Sequence, residues 1–368
     1  MARHPESDVR PWIEGHVQEV NAYTRQRIEG SYRFIDGLLA SCQELGSGHA
    51  YDVGSGAGFD TFAIGRHFDS VWAVDTNPSA IREAVRIARG AGVTHITFKR
   101  RSAESFRGVP ASDFVYCNLM SHHVSSRCRL IRRLGTVLKP RAYLSYSEIT
   151  EGYAPMEIHR AIQRRDGVEL ASRLCQVVRG FTGQAGFRFF LAGTAPSLLE
   201  MAGLRVVARD SLNWNGMTIH ERILSQGAEG PRVVRGWGCD ADYVGLASGF
   251  AETRAQFLAQ LPAKSGARLP SGARADDGTV LRPPCDAYAP FLTFLRMAEM
   301  VLPSLRLRPS PKRRMSEIWQ GARRRLGFAA DRSPSRTNLD WGALEDIDLE
   351  FIAMMRRNAG LPAGEIDE

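Results

Sequence analysis

The chain has no apolar run approaching the ~18 residues of a membrane span, and its first residues, Met1-Ala2-Arg3-His4-Pro5, lack the apolar core and cleavage site of a secretion signal. These absences point to a soluble, cytoplasmic protein. No Cys-x-x-Cys pair occurs. The six cysteines (Cys42, Cys117, Cys128, Cys175, Cys239 and Cys285) are scattered, which excludes a zinc-ligand spacing or a dense disulfide framework. No metal site is expected. Lysine is scarce, and the basic charge is carried by arginine. The phosphate-binding pattern Gly-x-x-x-x-Gly-Lys-Ser/Thr is missing, and so is any internal repeat.

What is present is ordinary for a globular chain: 368 residues, 43% hydrophobic and 24% charged, enough for about two domains. The net charge of +8 permits anionic partners. Its distribution is uneven. Arg306, Arg308, Lys312, Arg313, Arg314, Arg323, Arg324, Arg325, Arg332 and Arg336 form a late basic cluster. An acidic tail follows, from Asp340 to Glu368, which can pair with that cluster as readily as the cluster can bind a nucleic acid.

Helical spacing over 8–45 predicts two short helices, an N-terminal helical cover over 1–48. From 49 onward strands and helices alternate. Strands are expected at 49–53, 70–74, 94–98, 113–117 and 142–147, with a helix at 79–91 started by Pro78 and stopped by Gly92. This βαβα alternation predicts an α/β fold, a doubly wound and mostly parallel sheet with helices on both faces. Residues 151–192 interrupt it with helical spacing and read as a lid insertion. Strands at 204–208 and 217–223 flank Asn213-Trp214-Asn215-Gly216, a hairpin turn. The domain thus spans 49–226. Residues 227–368 read as a helical, loop-rich C-terminal extension, with helices at 291–302, 317–326 and 344–357.

Asp52-Val53-Gly54-Ser55-Gly56-Ala57-Gly58 joins the first strand to the first helix of the alternation. Glycines here let backbone approach a ligand and take dihedrals that a β-carbon disfavours. A dinucleotide fingerprint would need glycine at 59, where the chain has Phe59. Asp52, two residues ahead of the first glycine, would repel a pyrophosphate and suits a cofactor presenting a cation. Both features count against nicotinamide-dependent oxidoreduction.

The chain here resembles the class I S-adenosylmethionine-dependent methyltransferases, in their small-molecule branch, over roughly 45–226. Asp52 to Gly58 is similar to their first motif. Ala73-Val74-Asp75-Thr76-Asn77 is similar to the second, whose acid takes the ribose hydroxyls. Arg101-Ser102-Ala103-Glu104 stands where the family usually has Asp-Ala-Glu at the adenine edge, with Ser102 replacing the acid. Asp113 to Val124 resembles the fourth-strand motif that often ends in His-His, and Leu138-Lys139-Pro140-Arg141 the approach to the fifth strand. The resemblance implies a seven-stranded sheet with its last strand antiparallel. It implies S-adenosyl-L-methionine as cofactor, held by Asp52, Gly54, Gly56, Gly58, Asp75, Thr76, Ser102, Ala103, Glu104 and Asn118.

The expected activity is methyl transfer to an O or N atom of a small molecule in a biosynthetic or tailoring reaction, by in-line displacement. His122 and His123 follow the fourth strand and have the right pKa to take a proton from the acceptor. Each can equally pack or cap the next helix. Trp214 can stack on a substrate ring or shield the sheet edge. Two other readings stand beside this one. The first is a nucleic-acid methyltransferase using the late arginines. Against it, Cys117-Asn118-Leu119-Met120 occupies the place of the Asn-Pro-Pro-Tyr motif of amino-methylating relatives. The second is a cofactor-binding regulatory protein without turnover. A homodimer fits any of the three.

Overall fold

The computed structural model describes residues 4–16, 18, 22–103, 108–124, 127–150, 153–167, 169–174, 194–215, 217–228, 297, 300–301, 339–358 and 362. The late arginine cluster, the expected helix at 317–326, residues 151, 152, 168 and 175–192 of the expected lid, and Glu104 lie outside them.

A seven-stranded sheet has the order β3-β2-β1-β4-β5-β7-β6. Its strands are β1 (His49–Val53), β2 (Ser70–Asp75), β3 (Ile96–Arg100), β4 (Ser112–Asn118), β5 (Leu138–Ile149), β6 (Leu204–Trp214) and β7 (Met217–Gly227). The β1–β2, β1–β4, β2–β3 and β4–β5 pairs are parallel, as crossovers through helices require. A tight turn joins β6 to β7, so these two run antiparallel, as expected of the last strand. The chain reverses its direction of travel across the sheet between β1 and β4. That opens a crevice at the carboxyl ends of the two strands, the usual ligand position in such sheets.

The helices follow local signals. Helix α3 (Phe59–Gly65) starts at Gly58, whose φ is 85°. Helix α4 (Pro78–Gly90) starts where the Asn77 side chain accepts from the Ser79 and Ala80 amides, with proline in the first turn. It buries Ile81, Ala84, Ile87 and Ala88, one face of a 3.6-residue period. Helix α5 (Arg127–Val137) ends directly before β5, which begins at Leu138. Strands β6 and β7 are longer than their apolar pattern predicts.

The described residues divide into two compact units. The first comprises residues up to 148, 195–210 and the described residues from 222 to 228. In its core β1 is buried at every position, and its Ala50 joins one cluster with Ile13 of α1 (Arg10–Gly15), Ile28 and Ile35 of α2 (Ala22–Ala40), Phe62 of α3, and Phe68 beyond it. Tyr32 fastens the N-terminal segment: its hydroxyl donates to the Ser7 carbonyl at 2.7 Å and accepts from the Val9 amide at 3.1 Å. The Arg10 guanidinium lies 4.5 Å above its ring.

The second unit holds the hairpin tip at 211–221 and the described residues of 149–174 and of the C-terminal region. Helix α6 (Tyr153–Gln163) from the insertion and α8 (Trp341–Asn358) from the C-terminus share one core, with Met156, Ile162, Leu170, Leu344, Phe351 and Ile352 buried in it. Insertion and extension, separate in the sequence, are therefore one packed body. Within it the His159 ring nitrogen meets the Asp348 carboxylate, both groups buried. Helix α7 (Thr194–Met201) leads into β6. No helix among the described residues is long and apolar enough to cross a membrane.

Candidate functional site

Parallel pairing brings the carboxyl ends of β1, β2, β3 and β4 to one edge. Asp52, the glycine turn, Asp75, Thr76, Ser102, Ala103 and Asn118 all lie at these strand ends. Gly54, Gly56 and Gly58 have φ of 81°, 54° and 85°, the left-handed region that favours glycine. Gly54 also faces Met120, whose Cβ would lie 2.6 Å from a β-carbon at residue 54. A β-carbon on Gly56 would meet nothing within 4 Å, so this part of the turn borders open space. The turn hangs on β2: the Gly54 and Ser55 amides donate to the Val74 carbonyl at 2.8 and 3.0 Å.

Asp75 ends β2, half-buried. Its Oδ2 accepts from the Gly56 amide at 2.9 Å and its Oδ1 from the Asn77 amide at 2.7 Å. Both oxygens keep lone pairs for further donors. Thr76 and Ser102 are exposed and Ala103 is buried. Asp52 lies below the turn, 2% exposed, and its Oδ2 accepts from the Thr61 hydroxyl at 2.5 Å. Burial raises its pKa to about 8, against the Thr61 hydrogen bond, and the Asp60 and Asp75 charges add to the rise.

Asn118 closes β4. Its Nδ2 donates to Asp60 Oδ2 at 3.1 Å and its Oδ1 accepts from the Ser147 hydroxyl. Leu119 follows with φ of 51°, a left-handed conformation at a non-glycine residue, held by its amide's 3.0 Å bond to the Ser147 carbonyl. Among the described residues none of Asp52, Asp60 and Asp75 makes an ion pair with Lys, Arg or His.

His122 and His123 part company. His122 is buried: its Nδ1 lies 2.6 Å from Glu148 Oε1, and its amide donates to Glu148 Oε2 at 3.0 Å. The Ser121 hydroxyl donates to the same carboxylate and lies 2.5 Å from the Tyr146 hydroxyl. His123 is exposed, with its ring centroid 3.9 Å from that of His122. Lost hydration over part of the ring, then His122, lower its pKa below the usual histidine value. The Glu148 and Asp75 charges pull the other way, which places His123 within the field of the cofactor end.

Trp214 belongs to the second unit, 8% exposed, with its ring 5.4 Å from that of His159. Sequence reasoning missed Asp60 and Glu148. Asp60 had one visible signal, an acid in the first turn of the helix after the glycines. Glu148 had none, since its partners come from another strand end.

The glycine cradle, open at Gly56, fits a nucleoside-bearing cofactor. So does the Ser55 hydroxyl within it, whose oxygen is buried and without a hydrogen-bond partner among the described residues. The unpaired carboxylates fit its cationic end.

Residues 50–141 match the family model for a "Methyltransferase domain". With the strand order and the glycine turn, that match defines a class I, Rossmann-like methyltransferase domain. Residues 50–141 thus form a methyltransferase domain, and its glycine cradle suits S-adenosyl-L-methionine as cofactor. No curated protein matches it. Solved structures similar to it include an S-adenosylmethionine-dependent methyltransferase from Clostridium acetobutylicum ATCC 824, at 12% identity and TM-score 0.40, covering 59% of this chain and 96% of that one. The N-methyltransferase NodS from Bradyrhizobium japonicum WM9 is 16% identical at TM-score 0.38, covering 54% and 96%. The [4+2]-cyclase SpnF is 16% identical at TM-score 0.42, covering 54% and 82%. Likenesses this distant leave the assignment to the domain match and the site.

Proposed function

We propose that the chain methylates an oxygen or nitrogen of a small molecule, in a biosynthetic or tailoring reaction, by in-line displacement. The observation that supports this best is His123, exposed next to the cofactor end with a lowered pKa. At neutral pH its imidazole is unprotonated, as a base that takes the acceptor's proton must be. His122, buried against Glu148, steadies the segment that carries it.

When bound, S-adenosylmethionine supplies a methyl group already made electrophilic by its positively charged sulfur. The protein's part is to hold, align and exclude water. Asp75 takes the ribose hydroxyls. The 54–58 turn lets the backbone pass close to the ligand, with Thr76, Ser102 and Ala103 along the nucleoside. Asn118 and Asp60 border the end where the acceptor enters. The run Cys117-Asn118-Leu119-Met120 has no side-chain grip for an extruded base, which favours a small acceptor.

The test is a methyl-transfer assay over small alcohols, phenols, amines and structured RNA, at several pH values. Turnover on a small acceptor, with His123→Ala lowering kcat about a hundredfold near pH 7, is expected. Turnover on RNA alone would sink the small-molecule reading. Full activity of His123→Ala would remove the base.

A further inference from the structure

Asp60 takes no part in the glycine turn or in the ribose contact. It lies in the first turn of α3, two residues after Gly58, half-buried. Its Oδ2 accepts from the Tyr116 hydroxyl at 3.0 Å and from Asn118 Nδ2 at 3.1 Å, both on β4. The carboxylate thus spans the crevice where the sheet reverses, from the end of β1 and its helix to the end of β4.

Its two donors are neutral. Burial first, then the Asp60 and Asp52 charges, raise the Tyr116 pKa far above the ordinary phenol, so the hydroxyl keeps its proton and donates. Such bonds solvate a carboxylate without cancelling its charge. Arg222 is near enough to act on Tyr116, but its guanidinium lies over the Phe34 ring at 4.8 Å. No cation among the described residues pairs with Asp60, and the buried Asp52 beside it is held protonated near neutral pH, so it brings no compensating charge. A partly desolvated carboxylate with only neutral donors is unfavourable until a cation arrives. The unpartnered Ser55 hydroxyl in the neighbouring turn is a second polar group without its complement.

We propose that Asp60 senses the positive charge on the cofactor's sulfur, so that the site holds the charged methyl donor in preference to the uncharged thioether left after transfer. The inference rests on the methyl-transfer reading. In that reaction the acceptor's lone pair forms the new bond to the methyl carbon. The carbon–sulfur pair returns to sulfur, whose charge falls to zero, and the acceptor's proton passes to His123 or water. Asp60 then faces a neutral ligand, and the attraction that held the donor is gone. Product release is thereby coupled to the chemistry.

The experiment is calorimetric titration of the full chain with S-adenosylmethionine and, separately, with S-adenosylhomocysteine. Asp60→Asn should weaken the first about tenfold or more while changing the second about threefold at most. Asp60→Ser should repeat that shift, so that a folding defect in one variant does not decide the matter. Asp60→Glu, which keeps the charge, should keep the wild-type ratio. Equal weakening of both ligands would assign Asp60 to the amino group they share and overturn the proposal, as would no change. Wild-type protein that takes up neither ligand would overturn the cofactor assignment itself, and Asp60's part with it.

Discussion

The Gly56 amide donates to Asp75 Oδ2 across 2.9 Å, so the glycine turn and the end of β2 hold each other in place. One carboxylate thereby sets the shape of the cradle and offers remaining lone pairs to a ligand.

Asp75→Ala should therefore lose both functions. Calorimetry should detect no S-adenosylmethionine binding, and the melting temperature should fall as the Gly56 and Asn77 amides lose their acceptor. Loss of a hydrogen bond to a charged group costs about 1.5–3 kcal/mol. Near-normal affinity would overturn the ribose assignment.

Gly54 and Gly56 separate strain from collision. Gly56→Ala should cost about 1–2 kcal/mol for the left-handed backbone, with a folded protein that binds the cofactor poorly because the methyl group enters the open cradle. Gly54→Ala adds the clash with Met120 and should unfold at clearly lower urea. Equal midpoints for the two variants would contradict this geometry.

Asp52 makes the empty protein sensitive to pH. Its pKa is 3.8 in the unfolded reference and about 8 in the fold, raised chiefly by burial. Between those values the folded state binds more protons, so this residue's contribution to stability falls as pH rises through the window and is flat above it. Asp52→Asn should flatten that slope and stabilise the ligand-free protein at pH 8 relative to pH 5. Urea melts at the two pH values check it. An unchanged slope refutes the buried, protonated carboxyl.

His159 and Asp348 should behave as a buried pair. Asp348→Ala leaves a buried imidazole without its acceptor and should cost roughly 3 kcal/mol, read as an early transition in urea melts. The double variant His159→Leu/Asp348→Leu should recover most of that loss. If single and double variants melt alike, the pair contributes nothing specific.

The alternation of strands and helices was legible because its signals are local: Pro78, Gly92 and the glycine run each act within a turn of chain. So was the edge of the sheet where the proposed cofactor residues gather, since parallel pairing sends the ends of β1 to β4 there. The tie between Asp60 and β4 was not, because Tyr116 and Asn118 lie 56 and 58 residues away. Strands β6 and β7 were read short because much of β6 is exposed and carries no apolar alternation. His122 and His123 looked equivalent as neighbours in sequence. Only the position of Glu148 on β5 buries one and leaves the other outside.

The core shared by α6 and α8 also has a history in time. His159 and Asp348 are 189 residues apart. A ribosome adding 5–20 residues per second leaves α6 waiting on the order of ten to forty seconds for its partner to emerge. Through that interval its apolar face is a surface for chaperones, whereas β1 to β5 can already close on one another. A nascent chain stalled before residue 341 should stay chaperone-bound through this helix.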